Sequence, residues 1–165
     1  MIYKDEELGS MMFKIGDHQV RRSEFRMKNR KEQELFGSFY SLANNPAGKP
    51  CIVYLHSSHG CRIENLAIIH LLIPDFTLCV YDLASRGMSA GLYLTYGHQE
   101  WNDLEGIIDC LKDRFHAEEF FLWGRDVGAS TVIKFARFSN DRKDVLGLCL
   151  DSPYSKFEDY VKTIS

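Results

Sequence analysis

Four short runs that are apolar at nearly every position constrain this chain more than anything else in it. They are Cys51 to Leu55 (CIVYL), Phe76 to Tyr81 (FTLCVY), Glu119 to Trp123 (EFFLW) and Val145 to Leu150 (VLGLCL). Successive side chains of a strand point to opposite faces, so a run apolar at every position has to be covered on both sides, as in a parallel sheet. Between the runs the period changes. Ile63 to Ile73 places Leu66, Ile69, His70 and Ile73 on one side of a helix that Pro74 stops. Trp101 to Phe115 sets Trp101, Leu104, Ile108 and Leu111 at spacings of three and four, and Val127 to Phe138 forms a helix behind the third run. Strands alternating with helices imply βαβ crossovers and a mostly parallel α/β sheet.

Upstream, Phe25 and Met27, then Leu35 to Tyr40, read as two strands joined by the charged turn NRKEQ. Residues 1–22 are irregular and mostly polar and are expected to form an N-terminal arm, leaving residues 23–165 as one domain. Asn44 to Pro50 is a loop, and Phe157 to Ile164 has a helical pattern. The 165 residues, 45% of them hydrophobic, suffice for a single core. The formal net charge is -3, with Lys and Arg scattered among Asp and Glu, which disfavours nucleic acid or an anionic membrane as partner. The one basic cluster, Arg21, Arg22, Arg26, Lys28, Arg30 and Lys31, reads as a solvated, strand-flanking face. The N-terminus lacks a secretory apolar run and no stretch approaches the ~20 apolar residues of a membrane span, so a cytoplasmic protein is expected. Cys51, Cys61, Cys79, Cys110 and Cys149 form no CxxC pair and are odd in number, as expected of reduced structural thiols.

Three polar segments follow the apolar runs. His56-Ser57-Ser58-His59-Gly60 comes after the first, Asp82 to Gly91 (DLASRGMSAG) after the second, and Gly124-Arg125-Asp126-Val127-Gly128-Ala129 joins the third to its helix. A tight strand-to-helix turn crowds its backbone, so the positions two before and two after its apex have to be small. Gly124 and Gly128 meet that need around Asp126.

Together these segments resemble the α/β-hydrolase superfamily, in its serine peptidase and acyl hydrolase branch. LWGRDVGAS is similar to the G-x-S-x-G nucleophile elbow, with Asp126 at the serine position. VYDLASRGMSAG resembles the D-x-x-G-x-G-x-S-x-G segment, and LDSPYS resembles the LDSPFS stretch after the sixth strand. The resemblance runs from about Arg22 to the C-terminus. It implies a three-layer α/β/α sandwich of α/β-hydrolase type that lacks the C-terminal strands. It also implies that Ser58 and Val127 hold the oxyanion-hole positions, with backbone N–H groups as donors. Ser57 stands where the family has glycine.

Three departures set the functional expectation. Asp126 offers no hydroxyl for acyl transfer. The family's catalytic His follows the nucleophile in chain order, whereas the last histidine here is His116. The sequence also stops at Ser165, before the strands that would carry the acid and that His. Some members of this fold use an aspartate that forms a covalent ester, but hydrolysis of that ester needs a His-activated water. A catalytically inactive structural or interaction protein is therefore expected, with Asp126 a degenerate nucleophile position. The alternative is a hydrolase of esters, amides or related electrophiles completed by a partner or a longer form. No cofactor or metal is expected, since His56, His59, Asp82 and Asp126 read as loop residues, Asp82 capping its own loop. Asp103, Glu105, Asp109 and Lys112 read as a solvated helix face, Trp101 and Trp123 as packing residues, and Gly87 and Gly91 as turn residues. The Val145–Leu150 strand is expected at an open sheet edge that takes a protein partner or a second copy.

Overall fold

The computed structural model describes residues 3–44, 48–140 and 142–154. The four apolar runs form strands β4 (Cys51–Leu55), β5 (Thr77–Tyr81), β6 (Phe120–Arg125) and β7 (Val145–Asp151), preceded by β1 (Met12–Ile15), β2 (His18–Lys28) and β3 (Glu34–Leu42). They make one sheet in the order β1-β2-β3-β5-β4-β6-β7. β1, β2 and β3 run antiparallel and β3 joins β5 antiparallel, while β5, β4, β6 and β7 are mutually parallel. Every residue of β4 and β5 is buried, as an apolar run in a sheet interior requires.

Helices α2 (Glu100–Phe115) and α3 (Val127–Phe138) cover one face. The main core lies between them and the sheet and includes Val53, Leu55, Cys79, Leu104, Ile108, Phe120, Leu122, Val132 and Phe135. Cys51, Cys61, Cys79 and Cys110 are buried free thiols, and burial pushes Cys51 up to about 12, which leaves it protonated and unreactive. Trp101 packs on Phe138 and Trp123 packs edge-on against Tyr54, both as spacers between elements.

The other face is covered differently from expectation. In place of one helix over Ile63–Ile73 there is a 3-10 segment, Arg62–Ala67, followed by the single turn α1 (Ile69–Leu72). Ile69 and Ile73 are buried as the periodicity requires, but Leu66 and His70 are exposed. Arg62 and Asn65 turn inward instead, and their polar ends displace the apolar stripe that a regular helix would need.

The segment read as irregular up to Arg22 also differs. Met12–Ile15 and the first half of His18–Lys28 are sheet strands, with Val20 buried beside Tyr40 and Leu78 in the second core. Arg22, assigned by composition to a solvated basic face, is buried and donates from Nη2 to the Gly9 carbonyl at 3.0 Å. Polar side chains hid this pairing, although β1 and β2 form a local hairpin with Ile15 opposite His18.

Asp103 is a third correction, since it is buried rather than solvated. Burial raises its carboxyl from 3.8 to about 6, helped by nearby Glu100 and opposed by an Asn29 hydrogen bond. The folded chain thus holds more protons here than the unfolded chain between roughly pH 4 and 6. The contribution is fully present below the lower value and is lost as pH rises through about 6. Asp103→Asn should therefore be more stable than wild type at pH 7.5, by on the order of 2 kcal/mol, and no more stable at pH 4. Thermal unfolding at the two pH values checks this, and an equal difference at both would contradict it.

Candidate active site

The third polar segment is a strained turn. Asp126 sits between β6 and α3 with φ 53° and ψ −112°, outside the regions that L-residues ordinarily occupy. Two close approaches hold it there. A Cβ on Gly124 would stand 2.3 Å from the Gly128 carbonyl carbon and oxygen, and one on Gly128 would stand 2.3 Å from the Leu55 carbonyl oxygen. The backbone N–H of Asp126 donates to the Asp151 carbonyl at 2.8 Å, which ties the apex to β7.

The turn meets the loop after β4. The backbone N–H of Ser58 donates to Asp126 Oδ2 at 2.9 Å. Val127 is buried as the first residue of α3, where a helix has no internal partner for its N–H. Ser58 is buried, and Arg86 Nε grips its carbonyl at 2.7 Å. Ser57 tightens the loop from the other side, donating from Oγ to Glu64 Oε1 at 2.8 Å, and Tyr54 donates to the same carboxylate at 3.0 Å. A hydroxyl where the family has glycine is therefore accommodated, and the Ser58 N–H still reaches the turn.

His56 is pinned by both ring nitrogens. Nε2 accepts the Leu83 N–H at 3.0 Å, so the proton is on Nδ1, which donates to the Ser57 carbonyl at 2.7 Å. Burial holds the imidazole below its ordinary value, which keeps it neutral. It links β4 to the loop after β5 and has no nitrogen left to serve as a base. His59 is exposed, with Nδ1 3.0 Å from Ser58 Oγ.

Asp82 does more than cap a loop. It is fully buried and accepts from the Tyr3 hydroxyl at 2.6 Å, the Arg62 N–H at 2.8 Å and the Met88 N–H at 3.0 Å. Arg62 Nε lies 3.4 Å away, and the same guanidinium also binds Tyr3, Glu24 and Ser38. Burial, reinforced by Asp82, pushes the Tyr3 hydroxyl far up. Gly87, at φ 52°, has to lack a side chain, because a Cβ would stand 2.2 Å from the Asp82 carboxyl carbon.

The structure thus brings Asp126 and Ser58 together and places Val127 beside them. It sends Asp82 to Arg62 and Tyr3, and His56 to the backbone. Among the described residues no group of three His, Cys, Asp or Glu could hold a metal ion, and no helix is long and apolar enough to cross a membrane. Reading by motif missed Arg86 and Glu64, the two side chains that shape the Ser58 loop. Both lie inside segments the sequence singles out, Arg86 within Asp82–Gly91 and Glu64 within Ile63–Ile73, but at positions those patterns leave free. A cleft of about 520 Å³, lined by Tyr93, Tyr96, His98, Ile133 and Tyr154 among others, includes Ser130, one helical turn beyond Asp126.

No family model matches this sequence. Over 130 residues it is 27% identical to an uncharacterized protein, R595, of Acanthamoeba polyphaga mimivirus, covering 74% of this chain and 44% of that protein. It is 26% identical, also over 130 residues, to a monoacylglycerol lipase of Saccharomyces cerevisiae, covering 73% of this chain and 29% of the lipase. Among solved structures it is similar to the Pf2001 esterase of Pyrococcus furiosus, with a TM-score of 0.70, 18% identity and coverage of 93% of this chain and 56% of the esterase. The chain spans less than half the length of these two curated relatives.

Proposed function

We propose that this chain, which has the α/β-hydrolase fold, is a catalytically inactive relative of ester hydrolases that works as a structural or interaction subunit. In this reading Asp126 stands at the apex of a retained nucleophile elbow, and Ser58 and Val127 hold the oxyanion-hole positions. One observation carries it. The Ser58 N–H that would stabilise a substrate oxyanion is engaged at 2.9 Å by the resident Asp126 carboxylate. An ester substrate would have to displace a charged acceptor from that donor and would then meet a carboxylate at the apex of the turn in place of a serine hydroxyl. The engagement of both His56 nitrogens supports the same conclusion, because neither is free to take a proton.

A second reading draws on the same contact. Only Oδ2 of Asp126 accepts from Ser58, which leaves Oδ1 as a nucleophile toward an electrophilic carbon. Attack on an epoxide would form an alkyl ester at Oδ1 and break the ring C–O bond, leaving an alkoxide that takes a proton from water. With His56 held through both ring nitrogens, it could not activate water against that ester, and the reaction would stop after one event.

Two assays on the purified chain separate these readings. Hydrolysis of p-nitrophenyl butyrate is expected to stay at the rate of an Asp126→Ala variant, and the intact mass after incubation with styrene oxide is expected to be unchanged. Ester turnover that the Asp126→Ala change abolishes would overturn inactivity. A stoichiometric adduct mapped to Asp126 would select the second reading.

A further inference from the structure

A second cleft, of about 400 Å³, opens beyond the end of β5, and no residue of the Asp126 turn or the Ser58 loop lines it. β3 runs antiparallel to β5, so the turn between β2 and β3 reaches the C-terminal end of β5. The walls are drawn from that turn, from Ala84, and from the segment 92–103 that leads into α2. The volume falls within the range of about 300–1,000 Å³ usual for small-molecule sites.

Two buried carboxylates, Glu100 and Asp103, stand one helical turn apart in this lining. Their roles differ. Glu100 is taken up by the fold, accepting from the Thr95 N–H at 2.7 Å, the Thr95 hydroxyl at 2.6 Å and the Gly97 N–H at 2.7 Å. Asp103 meets the Asn29 amide and, among the described residues, makes no ion pair. Its burial raises the carboxyl to about 6, so holding it ionised at neutral pH costs stability that no contact in the fold returns. Carboxylates perturbed in this way cluster at functional sites. On β5 the fully buried Tyr81 hydroxyl has no hydrogen-bond partner among the described residues and lies in the field of both carboxylates.

The mouth is built of other material. Arg30 is exposed and neutralised by Glu105 at 2.9 Å, and the exposed Lys31 is bonded to the Gln99 amide oxygen over the Tyr93 ring. Water screens these outer cations more than the carboxylates inside, so the interior favours positive charge. Leu92 and Tyr93 also line the mouth, 93% and 65% exposed, an apolar surface that the fold leaves in water.

We propose that this cleft binds a small primary amine with an apolar body, its ammonium against Asp103 and its carbon skeleton on Leu92 and Tyr93. One positive charge balances the cleft, since Glu105 offsets Arg30 and Lys31 offsets one of the two inner carboxylates. A divalent metal ion fits less well. Glu100 is already engaged by three donors, and among the described residues no third His, Cys, Asp or Glu joins the pair. The proposal does not depend on how Asp126 is read, because the two sites share no residue.

Titration of the chain with phenethylamine at neutral pH, followed by amide chemical shifts, tests it. Phenethyl alcohol serves as the neutral molecule of the same shape, and Asp103→Asn as the variant, which is expected to fold because it removes a destabilising buried charge. Wild type is expected to bind the amine with a dissociation constant of about 1 mM or below, and the alcohol at least about tenfold more weakly. Asp103→Asn is expected to weaken the amine at least about tenfold and to leave the alcohol unchanged. Three results would each overturn the proposal: no saturable shift up to about 10 mM amine, equal affinity for amine and alcohol, or undiminished amine binding by Asp103→Asn. Ester turnover would remove the inactive reading without emptying this cleft, and failure of the amine would leave the ester assay untouched.

Discussion

Gly128→Ala is expected to destabilise the protein by at least about 3 kcal/mol, although it adds a single methyl group. The new Cβ would stand 2.3 Å from the Leu55 carbonyl oxygen and 2.8 Å from the Leu55 Cβ. Backbone cannot swing aside as a long side chain can, so α3 has to lift from β4. Lifting α3 opens the packing of Val127, Val132 and Phe135 against the main core. Gly16→Ala provides the contrast. It has nothing within 4 Å of the added atom and only a positive φ of 56°, so its cost should stay near 1–2 kcal/mol. Urea unfolding of the two variants checks the ranking. Equal midpoints would mean that the elbow glycines are not held by close approach.

Asp82→Ala should be comparably severe, about 3–5 kcal/mol. The carboxylate satisfies the Tyr3 hydroxyl and the backbone N–H groups of Arg62 and Met88, and it neutralises a guanidinium that is itself 1% exposed. Removing it takes one anion from beside the buried Arg62 guanidinium and deprives the Tyr3 hydroxyl and two backbone N–H groups of their acceptor. Buried groups left without partners cost far more than a surface pair contributes. Asp151→Ala, which breaks a half-exposed 3.5 Å contact with Arg125, is therefore expected to cost under about 1 kcal/mol. Thermal unfolding of both variants measures the difference. A mild Asp82→Ala would imply that water reaches Arg62 and takes over from the carboxylate.

The sheet interior was legible because it follows one rule. Positions 51–55 and 77–81 are apolar but for Thr77 and are buried throughout. The α2 and α3 helices were legible from the spacing of Leu104, Ile108 and Leu111 and from the glycines before α3. The turn at Asp126 could be read for the same reason, since steric need leaves a mark at fixed offsets, as Gly124 and Gly128 show. Illegible regions are those where buried groups are polar and their partners distant. Arg22 reads as surface until Gly9 is found beside it, and no pattern in the sequence marks Arg62 as the charge that Tyr3, Glu24 and Asp82 surround. His56 reads as a loop residue in sequence, and its two backbone partners show what it does there, which is to rivet β4 to the loop after β5.

The unequal cover of the two sheet faces has a consequence for how the molecule opens. One face lies under the 16 residues of α2 and the 12 of α3, which also pack on each other. The other lies under a 3-10 segment of six residues and a helix of four, too short to hold themselves without the sheet. Their amides should exchange with solvent through local excursions that leave α2, α3 and the central strands closed. Arg62 begins that lighter cover and the Ser58 loop leads into it, so the surroundings of Asp126 are expected to open before the core beneath does.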